Sequence, residues 1–146
     1  MSPIVRKDSI VLKEDPSRVF KVLLDLPSYP LWWPKKIRFK VGGPLPPQPS
    51  TRVRVSNGPL VQWIATLTEV EKDRSISFHY GEGAWEGTAG WSLTPVAGGV
   101  EVSYAIDIVP VPGWLKFLGA ILDLGKIHSR ETRVILQNLA NHLTRP

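Results

Sequence analysis

Four turn signals at short intervals constrain this chain more than any other feature: Asn57-Gly58-Pro59, Lys72-Asp73-Arg74, Gly81-Glu82-Gly83 and Gly98-Gly99. Glycine, asparagine and aspartate supply the backbone conformations of tight reversals, and each signal lies between stretches that alternate apolar and polar residues. Arg52 and Arg54 alternate with Val53 and Val55, while Trp85, Gly87, Ala89, Trp91 and Leu93 take every second place in another stretch. Period two marks a strand with one face inward and the other in water. Residues 51–56, 60–70, 74–80, 84–94 and 99–109 are therefore expected to form consecutive hairpins, an antiparallel meander. Another strand precedes them, where Ile37, Phe39 and Val41 alternate with Lys36, Arg38 and Lys40; the loop GGPLPPQPS lies between.

Residues 4–13 read as a first strand leading into DPSRVFKVLLDL. Asp15 suits the cap of a helix and Pro16 its first position, where a missing N–H costs nothing. Val19, Val22, Leu23 and Leu26 then recur at helical spacing until Pro27, and Ser28 can cap a short second turn from Tyr29 to Trp33, stopped by Pro34. Neighbouring Trp32 and Trp33 must point in different directions at this corner, with Trp33 expected inward.

After Pro110, Val111, Pro112 and Gly113, the segment from Trp114 to about Leu143 reads as one long helix. Leu115, Leu118, Leu122, Gly125, Ser129, Thr132, Leu136, Leu139 and Leu143 share one face of it, large at both ends and small in the middle. A packed interior leaves such a row of missing volume only where another element or a ligand fills it. Gly87 and Ala89, between Trp85 and Trp91, repeat the pattern on the sheet; they mark either a hole or a strongly bent strand.

The 146 residues fit one domain spanning 1–146. The absence of cysteine removes disulfides, thiolate nucleophiles and Cys-ligated metals, and suits a cytoplasmic location. The start, MSPIVRKDS, lacks the apolar core of a secretory signal. Lys116 and Asp123 break the greasy run from Trp114 to Leu124, which is too short for a transmembrane segment. A net charge of +5 raises nucleic acid or an anionic membrane as partners, but the cations alternate along strands as solvated faces do, so no specific nucleic acid is expected. His79, His128 and His142 are scattered and form no zinc motif, no GxSxG nucleophile turn is present, and the glycines of GEGAWEG lack phosphate-loop spacing. No metal or cofactor is expected.

The stretch EDPSRVFKVLLDLPSYPLWWP, with its acidic-Pro helix start, Tyr-Pro and Trp-Trp-Pro, and the hairpin LTEVEKDRSISFHY resemble the START/SRPBCC superfamily. That superfamily includes polyketide cyclase/dehydrase-like proteins, lipid-transfer domains and the birch-pollen allergen family. The resemblance implies an α+β helix-grip fold: a curved antiparallel β-sheet wrapped around a long C-terminal helix, with two short helices after the first strand. It also implies a cavity between sheet and helix that binds or transports a small hydrophobic molecule, lipid or polyketide-like. A polyketide cyclase, aromatase or dehydratase using the same cavity is one alternative; a protein or membrane-surface interaction module is another.

On the strands, Phe39, Trp63, Phe78, Tyr80, Trp85, Trp91, Tyr104 and Ile106 are the inward candidates, either as plain core or as cavity lining. Trp33 joins them, and the helix would add Leu118, Ile121, Leu122, Gly125, Ser129 and Thr132 as ligand-binding positions. Tyr80, Tyr104 and His128 are the candidates for proton transfer if chemistry occurs. Ile127 and Val134 project opposite the inward stripe and offer at most a weak dimer contact, so a monomer or weak homodimer is expected.

Overall fold

The structure is a computed structural model describing residues 3–145; Met1, Ser2 and Pro146 of the expected 1–146 span lie outside the described residues. The elements run β1 (Ile4–Leu12), α1 (Pro16–Leu24), a 3₁₀ turn (Leu26–Leu31), β2 (Ile37–Val41), β3 (Arg52–Asn57), β4 (Val61–Glu71), β5 (Ser75–Gly81), β6 (Trp85–Val96), β7 (Gly99–Pro110), α2 (Gly113–Ile121) and α3 (Leu124–Leu143). All seven strands form one antiparallel sheet in the order β1-β7-β6-β5-β4-β3-β2. The meander thus crosses the sheet in chain order, and β1 returns to pair with the last strand. This is a helix-grip architecture, with α3 lying against the sheet and α1 with the 3₁₀ turn closing one side.

Local chemistry explains the boundaries. Asp15 Oδ1 accepts from the Ser17 amide at 2.9 Å, and Pro16 takes the first helical position. The expected second turn begins earlier than Ser28: Leu26 and Pro27 open it, because the α1 hydrogen bonds stop at Asp25, whose carboxylate accepts from the Ser28 hydroxyl at 2.5 Å. It ends at Leu31, and the Trp32 and Trp33 amides both close back onto the Tyr29 carbonyl, at 3.1 and 2.9 Å. Val19 and Leu23 of α1 join Ile76, Val100, Val102, Leu136 and Leu139 in the innermost core.

The single helix expected over 114–143 is two. Leu122 is extended (φ −121°, ψ 147°), and Asp123 starts α3 by accepting from the Lys126 amide at 3.0 Å. A capping carboxylate competes with continuation of the preceding helix, a signal that the apolar spacing alone does not carry.

The row of small residues on α3 has a packing cause. Ser129 is 1% exposed; its hydroxyl accepts from Arg6 Nε and donates to Asp8 Oδ2, both at 2.8 Å. A Cβ at Gly125 would stand 3.3 Å from Arg6 Cδ. The small side chains let α3 lie close to the edge strand β1, so another element fills the volume. On the sheet, Gly87 has φ 146°, and a Cβ there would come within 2.1 Å of the Asp107 carbonyl oxygen. Gly87 therefore marks a close approach of β6 to the β7 backbone, and Ala89 sits buried between its strand partners Phe78 and Ile106.

Candidate functional site

Alternation along β3, β4 and β5 turns Val53, Val55, Trp63, Ala65, Phe78 and Tyr80 to the concave face. The register sets Val53, Ala65 and Tyr80 side by side across three strands, with Val55 beside Trp63. Opposite them, α3 presents Leu124, Ile127, His128, Glu131, Thr132 and Ile135. Between the two lies a cavity of about 180 Å³, completed by Leu26, Tyr29, Trp33, Phe39, Trp85, Trp91, Tyr104 and Leu115.

The Trp-Trp corner supplies one wall. Trp32 is buried in the core, whereas Trp33 lines the cavity, stacked on Tyr29 (centroids 5.3 Å apart, 14° between planes) and edge-on to Phe39 at 5.0 Å. Tyr29 is held rigid: its hydroxyl donates to the Leu23 carbonyl at 2.5 Å and accepts from Trp91 Nε1 at 3.1 Å. Burial raises its pKa far above 10, so it stays neutral.

Tyr80 and Tyr104 hydrogen-bond to each other through their hydroxyls. Two hydroxyl protons and one mutual bond leave one proton to offer elsewhere. Burial pushes Tyr80 up to about 12, against the pull of its hydrogen bond with Tyr104, and burial likewise drives Tyr104 well above 10. His128 stacks on Tyr104, with centroids 6.4 Å apart. Thr132 Oγ1 gives its single proton to the His128 carbonyl at 2.9 Å, so its 3.2 Å contact with Nδ1 is a hydrogen bond only if Nδ1 donates. That tautomer leaves a lone pair on Nε2.

Burial lowers the His128 pKa from 6.5, aided by Arg6 and opposed by Glu131 and Asp8. The unfolded chain therefore takes up the proton first, and the stability this neutral imidazole supplies is complete above 6.5 and lost as the pH falls below it. Urea unfolding across that range should show a declining midpoint for the wild type and a shallower decline for His128→Gln; parallel curves would show that burial does not matter there.

At the cavity wall formed by Asn57 and Glu131, Lys36 Nζ donates to Glu131 Oε1 at 2.6 Å and Asn57 Nδ2 to Oε2 at 3.3 Å. One carboxylate thereby ties α3 to the start of β2 and the end of β3. Among the described residues, no group of three His, Cys, Asp or Glu could hold a metal.

The cavity brings together Trp33, Phe39, Trp63, Phe78, Tyr80, Trp85, Trp91, Tyr104, His128 and Thr132 of the sequence candidates. It does not include the others. Ile106 is core, and Gly125 and Ser129 face β1. Leu118, Ile121 and Leu122 would face inward only if the spacing of α3 ran on through α2, and the break at Leu122 removes that continuity; Ile121 and Leu122 are exposed. Ile127, expected on the outer face, belongs to the cavity flank with Glu131 and Ile135, a set at i, i+4 and i+8. Tyr29, Val53, Val55 and Ala65 line the cavity without having been among the sequence candidates; the alternation of Val53 and Val55 was the available signal.

Comparison with known proteins completes the description. The family model "Polyketide cyclase / dehydrase and lipid transport" matches residues 6–144. No curated protein sequence matches the chain. Among solved structures, the protein TTHA0849 from Thermus thermophilus is similar at 17% identity and TM-score 0.76, over 94% of each chain. Ara h 8.0201 is similar at 11% identity and TM-score 0.68, over 97% of each chain. DynU16, from the dynemicin biosynthetic locus, is 16% identical with a TM-score of 0.70, over 96% of this chain and 47% of that one. At these identities the structural matches speak for the fold alone.

Proposed function

The chain belongs to the polyketide cyclase/dehydrase and lipid transport family, and from that premise we propose that it binds or carries one small, neutral, ring-containing molecule in the cavity beneath α3. The observation that carries this reading is the aromatic box itself, with a hydroxyl pair set into an apolar wall. Removing apolar ligand surface from water contributes roughly 25 cal/mol per Å², less the cost of association. At about 180 Å³ the cavity is close in size to an engineered cavity of ~150 Å³ that holds benzene, which favours one or two rings over a long acyl chain. Lys36 is paired with Glu131, and no Lys or Arg is among the residues that line the cavity, so an anionic ligand would find no cationic partner there. Tyr80, Tyr104 and Nε2 of His128 supply one donor and one acceptor for a carbonyl or phenol group.

Two measurements test this. Native and denaturing mass spectra of protein purified without additives should differ by a mass lost on unfolding, and 1-tetralone should quench tryptophan fluorescence saturably while decanoate binds more weakly. Absence of saturable binding by either compound would remove the carrier reading.

The neutral His128 beside the tyrosine pair favours a second reading, an enzyme of the cyclase or dehydratase type, in which imidazole takes a proton and a tyrosine returns one. Tyr80→Phe would then retain binding of a polyketone substrate and lose its conversion. In a pure carrier no conversion exists to lose.

A further inference from the structure

The sequence of α2, GWLKFLGAI, is apolar on more than one side. Leu115 is buried against the cavity, so one face is satisfied. Trp114, Phe117 and Ile121, at i, i+3 and i+7, form a second stripe that is 43%, 66% and 63% exposed. Leu122 continues this exposed surface at the break into α3. Three large apolar side chains aligned on a surface helix are a patch, unlike the scattered exposed residues of ordinary surfaces.

The adjoining turns of α3 carry the complementary signal. Lys126, Arg130 and Arg133, at i, i+4 and i+7, share its exposed outer face. From Gly113 to Val134 the cations are Lys116, Lys126, Arg130 and Arg133, and the carboxylates are Asp123 and Glu131. Glu131 is neutralised by Lys36, and Asp123 is committed to capping α3. An apolar stripe with aromatic side chains, followed directly in the chain by unopposed basic residues, matches what an anionic lipid surface requires: insertion at the acyl boundary together with attraction to the headgroups. A second copy of the chain fits less well. A two-fold dimer sets the same patch against itself, and here that would oppose like charges. No helix among the described residues is long and apolar enough to cross a membrane, so α2 would lie in the interface.

We infer that α2 and the first turns of α3 form a docking surface for an anionic lipid bilayer. Because Leu115 lines the cavity from the same helix, docking brings the ligand chamber against the membrane. The inference is independent of whether the cavity carries or converts its ligand.

The test is flotation of the purified protein with large unilamellar vesicles of phosphatidylcholine alone or with about three-tenths phosphatidylglycerol, at low and high salt. The expected result is binding to the anionic vesicles only, reduced at least tenfold by Phe117→Ser/Ile121→Ser, which keeps every charge, and by Lys126→Gln/Arg130→Gln/Arg133→Gln, which keeps the apolar stripe. All substituted positions are exposed, and circular dichroism checks that the variants fold. Failure to float with anionic vesicles at low salt would overturn the inference. So would binding indifferent to Phe117→Ser/Ile121→Ser, which would reduce it to charge adsorption. Light scattering that finds a dimer abolished by those same two changes, without vesicle binding, would assign the surface to a second copy instead.

Discussion

Ala65→Phe is expected to weaken 1-tetralone binding about 100-fold or more, a loss of about 2.7 kcal/mol, while leaving the protein folded. Ala65 is buried on β4, between Val53 and Tyr80, and faces the cavity. A benzyl side chain there places a ring of about the volume that an engineered ~150 Å³ cavity accepts as free benzene, so most of the 180 Å³ is filled from within. Overpacking a tight core costs ~1–3 kcal/mol, but here the new ring enters space that is already empty. Fluorescence titration and a thermal scan read the two effects separately, and unchanged affinity in a folded variant would place the ligand elsewhere. Gly125→Leu is the informative control. Its side chain would meet Arg6 on β1, so it should lower stability and leave the cavity open.

The second large effect concerns the floor of the chamber. Trp91 is 2% exposed, packs against Tyr104 at 4.5 Å between centroids, touches Trp32 and Trp33 at 6.1 and 6.4 Å, and donates Nε1 to the Tyr29 hydroxyl. Truncation to alanine removes the ring from all of these partners at once, and buried Trp→Ala changes cost ~3–5 kcal/mol. Set against a typical total of ~5–15 kcal/mol, that is a large share of the stability. Urea unfolding should show a much lower midpoint with an unchanged slope for Trp91→Ala, and an intermediate value for Trp91→Phe, which keeps a ring but loses the N–H. Equal midpoints for wild type and Trp91→Ala would mean that the aromatic box contributes little to folding.

Strand alternation made most of the sheet legible, because a one-residue slip would turn every inward side chain to water. Trp63, Phe78, Tyr80, Trp85, Trp91 and Tyr104 fall on the concave face for that reason. Helical spacing was a weaker guide on the other side of the chamber. It found the buried face of α3, but that face is divided between two neighbours: Gly125 and Ser129 pack on β1, while Thr132 reaches the cavity. Periodicity gives the angle of a side chain around its own helix and carries nothing about which strand lies opposite. The break at Leu122 was hidden for a related reason, since capping by Asp123 depends on one local hydrogen bond and leaves the apolar rhythm intact. Lys36 looked like one cation of an alternating strand, and only the approach of α3 makes it the partner of Glu131.

The return of β1 to the far edge of the sheet sets an order of events on the folding chain. Ile4 to Leu12 pair with Ile108 to Val100, so the first strand synthesised has no backbone partner until β7 exists. The hairpins β2 to β7 close between sequence neighbours and can assemble without it. The Arg6–Ser129–Asp8 clasp, which ties α3 to β1, comes later still, because it needs both ends of the chain. Closure between distant segments is paid for in chain entropy before any contact rewards it, and such topologies fold slowly. A nascent chain stalled before α3 would therefore hold a nearly complete sheet with its concave apolar face uncovered, the species most in need of protection from self-association.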